Sequence, residues 1–411
     1  MRCNKDYGIY IKNLQSNILQ KNITIISPSQ CTGCLSCVYT CPIKCISINK
    51  DKEGFLICQV DSKKCLMCGK CLIVCPVADK SQLNNPLTAY AAQRRNANAL
   101  KKSSSGGIAS VISENILSSD GIVYGAIMDS DMVVRHHRIT LLSDSNLFCG
   151  SKYVQSDFSE VYKYIINDCE SGKPVAVIGT PCQIAGVKKF LTKDYKNLVL
   201  IDLICHGAPS PALFAKYLNW KATKLKDGPI IKYRFRDKEL YGWDTVYKVQ
   251  TLHKEISDIA TKDPYYFAFI YSQIYRESCY QCRFANSNRS GDITIGDFWG
   301  IEKEHPEFQS KLNKGVSAVI CSTPKGIKVL EELKDDINMI ESSIDKISRK
   351  NANLVKPAKR PAIRNVFYNK IKVEGFDWAQ KKMLLDKRYY IEIVKRKVPI
   401  KLKNMIKKHI L

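Results

Sequence analysis

Eight cysteines near the start of the chain fall into two short runs of one pattern. Residues 31–42 read CTGCLSCVYTCP and residues 65–76 read CLMCGKCLIVCP, so both are C-x2-C-x2-C-x3-C-P. Three thiolates in one such loop can hold three irons of a [4Fe-4S] cubane, while the fourth cysteine of each run ligates the other cluster. The pattern therefore predicts two [4Fe-4S] clusters with crossed ligand sets.

The crossed arrangement gives each cluster four named ligands. The first set is Cys31, Cys34, Cys37 and Cys75, and the second set is Cys65, Cys68, Cys71 and Cys41. Zinc is the alternative, but zinc sites generally use two separated C-x2-C pairs, which these runs fit poorly. Cys45 and Cys58 fall outside the pattern, and we interpret both as small buried apolar residues.

Four more cysteines come from three separate loops further along the chain. This third set is Cys182, Cys205, Cys279 and Cys282. Cys182 follows the apolar run 174–178 and Cys205 follows the apolar run 198–204, so both are expected just beyond buried strands. By spacing alone, the four residues suit a third [4Fe-4S] cluster, a zinc site, or a redox C-x2-C pair with two unrelated core thiols.

Polar residues beside these cysteines offer places for a ligand. Residues 101–107 read KKSSSGG and open a stretch of helical spacing, so backbone amides and hydroxyls there are available to an anion such as a pyrophosphate. A plain turn is the alternative interpretation of this loop. His206 directly follows Cys205, where it is a candidate proton donor or hydrogen-bond partner of a sulfur, or else a structural histidine in a turn.

Two kinds of secondary-structure pattern must position these residues. Short strands at 45–49 and 55–60 flank a turn, which predicts an α+β ferredoxin-like domain of two pseudo-symmetric halves. From about residue 160, apolar runs alternate with helices, which predicts an α/β domain with a mixed or parallel sheet. Ligands of such sheets gather beyond the carboxyl ends of the strands, where Cys182 and Cys205 are expected.

The chain divides into five predicted segments. They are an N-terminal leader (1–23), the ferredoxin domain (24–80), two parts of the second domain (81–160 and 161–335) and a basic, partly helical C-terminal extension (336–411). The leader has no apolar signal segment, and no apolar run is long enough to span a membrane. Eighteen cysteines without a signal peptide indicate a reducing, cytoplasmic setting.

The net charge of +25 favours an anionic partner. Residues 341–411 hold 20 Lys and Arg against 6 Asp and Glu, over half of the excess. Residues 395–411 resemble a short basic amphipathic helix, which predicts peripheral contact with the inner face of an anionic membrane. Docking onto the protein's own body or an acidic partner is the alternative. No nucleic-acid-binding fold accompanies the charge, so nucleic acid is not expected.

Several short motifs, taken in order, resemble those of one known family. KSSSGG, GTPCQIAG, CHGAPSP, CYQCRFA and SGDITIGDFWG are similar to motifs of the coenzyme F-420 hydrogenase/dehydrogenase beta-subunit family, over about residues 81–335. A fused N-terminal ferredoxin domain is a familiar arrangement in that family. Its members are flavoproteins that carry an iron–sulfur cluster, so the resemblance implies that the third set holds a third [4Fe-4S] cluster.

The resemblance also implies a flavin and a function. FAD is expected although no G-x-G-x-x-G sequence is present. Motif matching gives its candidate contacts as Ser105, Gly106, Gly107, Thr180, Asp297 and Trp299. The implied protein is an oxidoreductase that passes electrons from ferredoxin-type clusters through the flavin to an organic acceptor, for bacterial members often in polysaccharide biosynthesis.

Two further expectations come with that function. The implied partners are a redox protein such as a ferredoxin and a small-molecule substrate. The alternative function is a non-catalytic electron-relay subunit of a larger redox complex, including one that uses the deazaflavin coenzyme. Substrate turnover by the isolated chain would distinguish the enzyme from the relay subunit.

Overall fold

The computed structural model describes residues 21–78 and 83–397. The amphipathic tail expected over 395–411 lies almost wholly outside the described residues, as does most of the expected leader. None of the described helices is long and apolar enough to cross a membrane.

The N-terminal part of the described chain, 21–78, is small and has two short helices and one hairpin. The helices are α1 (Ser36–Thr40) and α2 (Lys70–Ile73), and the strands are β1 (Ile46–Lys50) and β2 (Leu56–Val60). The strands pair antiparallel, with Ile46 opposite Val60. The carboxylate of Asp51 closes the hairpin turn by accepting backbone hydrogen bonds from Glu53 and Phe55.

The rest of the chain, here called the body, has eleven strands among the described residues. They are β3 (Thr88–Arg94), β4 (Ile122–Met128), β5 (Val134–Ile139), β6 (Val175–Gly179), β7 (Leu198–Leu203), β8 (Lys232–Arg234), β9 (Val246–Gln250), β10 (Glu255–Ile259), β11 (Ile293–Asp297), β12 (Ser317–Cys321) and β13 (Ile337–Ser342). Eight of them form one sheet in the order β13-β3-β12-β11-β7-β6-β4-β5, and β8–β10 form a separate antiparallel sheet.

The large sheet is mixed. Strands β11, β7, β6 and β4 are mutually parallel. Strand β5 pairs antiparallel with β4, and the pairs β11–β12, β12–β3 and β3–β13 are also antiparallel. The predicted α/β class with a mixed sheet is confirmed. A parallel centre places the carboxyl ends of β6, β7 and β11 at one edge of the sheet.

Helices of the body cover both faces of this sheet. The described helices are α3 (Ala97–Lys102), α4 (Ile108–Ser118), α5 (Ser159–Glu170), α6 (Pro181–Phe190), α7 (Pro211–Leu225), α8 (Pro264–Ile270), α9 (Ile301–Glu304), α10 (Pro324–Glu332), α11 (Ile344–Ser348), α12 (Ile363–Leu384) and α13 (Lys387–Lys397). Alternate residues of β7 pack to opposite sides: Ile201 joins a core cluster with α4 and α10, and Leu200 joins another with α5 and α6. Such alternation places one layer of helices on each face.

The two parts expected for the second domain share this sheet. Strand β4, from 81–160, lies beside β6, from 161–335, and β3 lies beside β12. The extension expected from residue 336 also begins inside the sheet, because β13 pairs with β3. Further on, Phe367 and Phe376 of α12 pack into a core cluster with Tyr217 of α7. The 81–160, 161–335 and early 336–411 segments are therefore one packed unit.

The N-terminal part shares its apolar packing with the body. Leu35 packs in a cluster with Tyr124 and Phe158, and Phe55 packs in a cluster with Phe214. Burying one such side chain stabilises a contact by about 1.5–3 kcal/mol. A buried ion pair adds to the attachment, since the Arg364 guanidinium donates to both Glu53 carboxylate oxygens at 2.7 and 2.6 Å.

Candidate functional site

The two N-terminal cysteine loops have the same backbone turn. In the first loop, Gly33 and Leu35 have φ of 68° and 70°, and in the second, Met67 and Gly69 have φ of 52° and 72°. These are the third and fifth positions of each run, so only one of the two left-handed positions in each loop is a glycine. A left-handed conformation costs a non-glycine residue about 1–2 kcal/mol. Leu35 and Met67 therefore adopt a strained conformation in the turn that carries the first three cysteines of each run.

The first set of cysteines meets in a single small cavity. That cavity is lined by all four members, Cys31, Cys34, Cys37 and Cys75, and by Cys58. Burial first, and then the neighbouring thiols of Cys34 and Cys31, raise the pKa of Cys75 to about 12. Cys75 thus lies with the loop of the other run, as the crossed arrangement requires.

The second set gathers around Cys45. The Cys45 Sγ lies 3.4 Å from the Cys41 Sγ. Burial, and then Cys41 and Cys65, raise the pKa of Cys45 to about 12. Burial also raises the pKa of Cys71, with Cys68 and Cys65 adding to the shift. Cys45 is buried, as interpreted from the sequence, whereas Cys58 is half-buried, and each of them also borders a cysteine set.

The third set is assembled at the carboxyl edge of the large sheet. Cys182 is the second residue of α6, which follows β6, and Cys205 follows β7. Cys279 and Cys282 lie in and after a short 3-10 turn that brings them to the same edge. All four side chains line one large cavity. The structure thus brings together four thiols that lie up to a hundred residues apart in sequence.

Burial and mutual repulsion disfavour the thiolate form of these four cysteines. Burial, and then Cys279 and Cys282, raise the pKa of Cys205 to about 12. Burial is also the main cause that raises the pKa of Cys182 well above its usual range, with the other three thiols adding to it. Four half-buried thiols that disfavour ionisation need a cationic centre to become thiolates. The set therefore fits an iron–sulfur core, whose irons supply that charge.

Backbone amides and one hydroxyl face the sulfurs of the third set. The amides of Gly207 and Ala208 face Cys205 and Cys279, where they lower the thiol pKa against the effect of burial. The Thr180 Oγ1 lies 3.2 Å from the Cys182 Sγ. Such hydrogen bonds to sulfur are among the features that set the potential of an iron–sulfur cluster.

The nearby buried arginine is Arg289 and not Arg283. Arg289 lowers the pKa of Cys205 and of Cys282 through its charge. Its guanidinium is held by Asp202, at 2.8 and 3.2 Å. Arg283, next to Cys282 in the sequence, donates to the Pro76 carbonyl at 3.1 Å. The third loop therefore supports the site through a residue ten positions beyond Cys279.

The spacing of these cysteines differs from that of a single-metal site. No group of three or more His, Cys, Asp or Glu within 21–78 and 83–397 is arranged to hold one metal ion. Tetrahedral zinc with Zn–S bonds of about 2.3 Å needs its sulfurs roughly 4 Å apart. The four irons of a cubane are bound by thiols that lie farther apart than the thiols of a zinc site.

The cavity at this edge has a volume of about 670 Å³. This is within the ~300–1,000 Å³ usual for cofactor and small-molecule sites. Of the candidates named from the sequence, Ser105, Gly107, Thr180, Asp297, Trp299 and His206 line it. Gly106 does not line it: its amide donates to the Ser317 Oγ at 3.0 Å, and a Cβ there would collide with the Ala92 carbonyl. The absence of a Cβ at Gly106 lets the KSSSGG loop pack closely against β3.

Two of the three serine hydroxyls of the KSSSGG loop donate hydrogen bonds to backbone carbonyls of the protein. Ser103 donates to Ala99 O at 3.0 Å, and Ser105 donates to Val316 O at 3.1 Å. Ser104 differs, because its Oγ accepts from the Ser151 amide at 2.7 Å and keeps its own proton. Ser104, rather than Ser105, is thus the hydroxyl best placed to donate to a ligand.

Asp297 organises an aromatic wall of the cavity. Its carboxylate accepts from Trp243 Nε1 at 2.7 Å and from Arg236 Nη1 at 2.8 Å. Trp243 stacks on Trp299 with ring centroids 4.9 Å apart and planes 5° apart. The Arg236 guanidinium lies over the Trp299 ring at 5.3 Å. Asp297 therefore fixes two donors and a flat aromatic surface.

His206 lines this cavity with an exposed side chain. Lys152 also lines the cavity, and burial lowers its pKa to about 8. Its Nζ donates to the carbonyls of Phe148 and Cys149 at 3.0 and 3.1 Å.

Sequence reasoning missed two buried donors at the boundary between the N-terminal part and the body. Arg276 donates to Cys31 O at 2.6 Å and to Leu56 O at 2.9 Å, while its Nη2 has no partner among the described residues. Gln155 accepts from the Leu56 amide, and its Nε2 also has no partner there. Both line the cavity. The position of Arg276 three residues before Cys279 was a usable signal, whereas Gln155 gave none.

Helix α6 joins the first and third cysteine sets. Cys182 is in its first turn, and Gly186 lies one turn further on. A Cβ at Gly186 would lie 2.8 Å from the Tyr162 hydroxyl and 3.1 Å from the Cys34 Sγ. One turn of an α-helix rises about 5.4 Å. The first set therefore packs directly against the helix that carries the third.

Two family models match this chain. Residues 172–347 match the model that describes the C terminus of the coenzyme F420 hydrogenase/dehydrogenase beta subunit. Residues 30–78 match the 4Fe-4S dicluster domain. The resemblance drawn from the motifs, with its fused N-terminal ferredoxin-type region, is confirmed, and so are [4Fe-4S] clusters in that region.

One curated relative and one solved structure are also similar. An uncharacterized protein of Methanocaldococcus jannaschii is 23% identical over 296 residues, which cover 58% of this chain and 78% of that protein. A chain of the F420-reducing [NiFe] hydrogenase complex from Methanosarcina barkeri is 17% identical, with a TM-score of 0.44, covering 73% of this chain and 92% of its own. By its family matches, the protein is an iron–sulfur electron-transfer protein related to hydrogenase and dehydrogenase beta subunits.

Proposed function

We propose that this protein is an iron–sulfur flavoprotein oxidoreductase that exchanges electrons between its N-terminal clusters and an organic acceptor in the large cavity. The observation that carries the proposal is the convergence of Cys182, Cys205, Cys279 and Cys282 on one wall of that cavity. Contact of Cys34 with α6 supports a continuous path from the first set to the third.

The twelve cysteines of the three sets would hold three [4Fe-4S] clusters. When bound, the clusters supply one-electron transfer at low potential, and a flavin supplies the change between one-electron and two-electron chemistry. The chain's own part is to bury the thiols and surround them with amides and charged groups. Gly207, Ala208 and Arg289 perform this for the third set.

FAD, or the deazaflavin named in the matched family's description, would occupy the cavity. The Trp243–Trp299 pair offers a flat aromatic surface, and Arg236 is held beside it by Asp297. Ser104 and the amides before α4 offer donors to an anionic or hydroxylated part of the ligand. His206, which lines the cavity with an exposed side chain, is a candidate donor or acceptor of a proton at the cysteine wall. A small-molecule substrate would reach the same cavity.

A flavin-reduction experiment tests the proposal. The protein is purified without oxygen, and FAD and the deazaflavin coenzyme are offered separately, with binding measured by quenching of ligand fluorescence. Reduced ferredoxin then serves as the electron donor, and bleaching of the ligand absorbance is followed. We expect bleaching in the wild-type protein and in Cys149→Ser, a cavity cysteine outside the three sets. Bleaching should be lost in Cys279→Ser.

Two results would contradict this proposal. One is the failure of both ligands to bind to the cluster-loaded protein. The other is equal bleaching in wild-type protein and Cys279→Ser, because reduction would then not pass through the third set. The polysaccharide-biosynthesis context rests on the motif resemblance alone and is not addressed by this experiment.

A second candidate function is an electron-relay subunit without substrate chemistry of its own. It is favoured by the matched family, which is described as a beta subunit. Such a protein would exchange electrons through its clusters and cofactor only with a partner subunit. Reduction of a small organic acceptor by the isolated, cofactor-loaded chain would exclude this candidate.

A further inference from the structure

The first and second cysteine sets differ in their surroundings. Cys34, Cys37 and Cys75 of the first set are buried, and Cys34 touches the body. In the second set, Cys71 is buried, Cys41 and Cys65 are half-buried, and Cys68 is exposed. The first set therefore lies toward the third set and the cavity, whereas the second set reaches solvent at Cys68.

Large apolar side chains are exposed beside the second set. They are Leu66 (68% exposed), Ile73 (43%), Met67 (39%) and Ile43 (39%). Each is within two residues of a cysteine of that set. Exposed apolar side chains grouped around one feature are typical of an interaction surface.

Exposed basic residues lie close in sequence to these apolar residues. Lys44, Lys63, Lys64 and Lys70 are exposed and lie within three residues of a cysteine of the second set. The nearest acidic residue in sequence is Asp61, whose Oδ2 lies 3.6 Å from the Lys64 Nζ. The whole of 21–78 has seven lysines against three acidic residues. Of these three, Glu53 is bound to Arg364 of the body, away from this surface.

We propose that these apolar and basic residues, here called the second-set face, form the docking surface for a small acidic electron-carrier protein. The proposal rests on the function proposed above and adds the place of contact and the charge of the partner. One electron passes between the carrier's redox centre and the cluster of the second set. The carrier loses what the cluster gains, and no bond or proton is transferred.

Both the composition and the charge of the second-set face suit such a partner. An apolar centre with a polar rim is the usual make-up of a protein–protein interface. Complementary charge steers encounter and can raise association rates by about 10–1,000-fold at low salt. Electron transfer requires the carrier to reach the cluster closely, and the exposed Cys68 permits that approach.

Stopped-flow electron transfer from a reduced acidic [2Fe–2S] ferredoxin tests the assignment. The triple variant Lys63→Glu, Lys64→Glu, Lys70→Glu should slow the second-order rate at low ionic strength by at least about tenfold. The difference should shrink at 1 M salt, where the Debye length is about 3 Å. Leu66→Gln should slow the reaction at both salt concentrations, since it removes apolar contact and not charge.

A matched control changes the same net charge on the body. Lys232, Lys303 and Lys334 are exposed lysines of the body, and reversing all three should leave the rate near that of the wild type. Reduced methyl viologen, a small cationic donor, should still reduce the second-set triple variant, and its iron content should equal that of the wild type.

Three results would overturn the docking assignment. They are an unchanged ferredoxin rate in the second-set variant, an equal loss in the body variant, and an equal loss with methyl viologen. Preferential binding of the second-set face to anionic vesicles, with no effect on ferredoxin, would also overturn it. Failure of wild-type protein to accept electrons from methyl viologen would instead count against the proposed function.

Discussion

Tyr162 lies beside the first cysteine set and within electrostatic range of Cys182 of the third set. Its hydroxyl is buried and has no hydrogen-bond partner among the described residues. Ser36 faces the same hydroxyl and affects its pKa, but the Ser36 hydroxyl donates to Val74 O at 3.1 Å. Tyr162 lies near enough to Cys34, Cys37 and Cys182 to feel their charges. An unpartnered donor in this position is available to a cluster sulfur.

Replacing Tyr162 with phenylalanine should therefore change a reduction potential without removing iron. A hydrogen bond to sulfur stabilises the more negative, reduced cluster, so its loss should lower the potential. We expect one centre of Tyr162→Phe to titrate at a more negative potential in an EPR-monitored redox titration. Tyr39→Phe is the control, because Tyr39 stacks on Tyr162 at 5.6 Å. Identical potentials in Tyr162→Phe and wild-type protein would show that the hydroxyl does not reach a sulfur.

His136 gives a second prediction at this scale, on pH and stability. Burial lowers its pKa to about 4, and its Nε2 donates to Ile178 O at 2.9 Å. Between about pH 6.5 and pH 4, the unfolded chain binds a proton that the folded chain does not. The free energy of unfolding should therefore fall as the pH falls through this window.

The magnitude should be roughly 1 kcal/mol between pH 7.5 and pH 5.5. Anaerobic urea unfolding of wild-type protein and His136→Asn at both pH values measures it. The variant should lose less stability than the wild type over the same interval. A wild-type change no larger than that of the variant would mean that His136 titrates near its ordinary pKa.

At the scale of elements, α6 carries the contact between the cysteine sets. Gly186 has space for no more than a hydrogen on the side that faces Tyr162 and Cys34. In Gly186→Val, the added carbons must push Tyr162 or the first cysteine loop away. Overpacking of this kind costs about 1–3 kcal/mol.

We expect Gly186→Val to keep its full iron content but to transfer electrons more slowly from the N-terminal clusters to the cavity ligand. Flavin bleaching after a pulse of reduced ferredoxin measures this rate. Gly172→Ala is the control for a loss of stability alone, because a Cβ at Gly172 would meet no atom within 4 Å, while its left-handed φ of 78° makes the substitution costly. An unchanged rate in Gly186→Val would show that electrons do not cross at this contact.

Several elements follow from local sequence patterns. The predicted strands at 174–178 and 198–204 and the helix opened by residues 101–107 agree closely with β6, β7 and α4, because apolar runs and helical spacing report burial directly. The cysteine loops could be predicted equally well, since the spacing of their cysteines is set by the geometry of cluster binding. Gly106 as a ligand contact stays a prediction, because a motif does not state which side of a loop faces a cavity.

Contacts between residues far apart in the sequence could not be predicted from local patterns in the same way. Gln155 and Arg276 meet Leu56 of the N-terminal part only after the chain has folded. Arg236 reaches Asp297 from a different sheet. Gln155 and Arg236 have no local pattern, and Arg276 has only its position near Cys279. The partner that each residue binds depends on tertiary packing that no sequence period encodes.

At the scale of the molecule, the N-terminal part and the body place the three cysteine sets in a row. The second set lies outward, the first set packs against α6, and the third set lines the cavity. Buried contacts by Leu35 and Phe55 and the Glu53–Arg364 pair keep the two parts together. This order of sites supports transfer between a protein partner at one end and an organic acceptor at the other.

The iron content of single-cysteine variants tests this account most directly. Anaerobically prepared wild-type protein should contain about twelve irons and as many sulfides per chain, or three cubanes. Cys182→Ser, Cys205→Ser, Cys279→Ser and Cys282→Ser should each fall toward about eight irons, while Cys149→Ser in the same cavity should keep about twelve. Twelve irons in all four third-set variants would contradict the account.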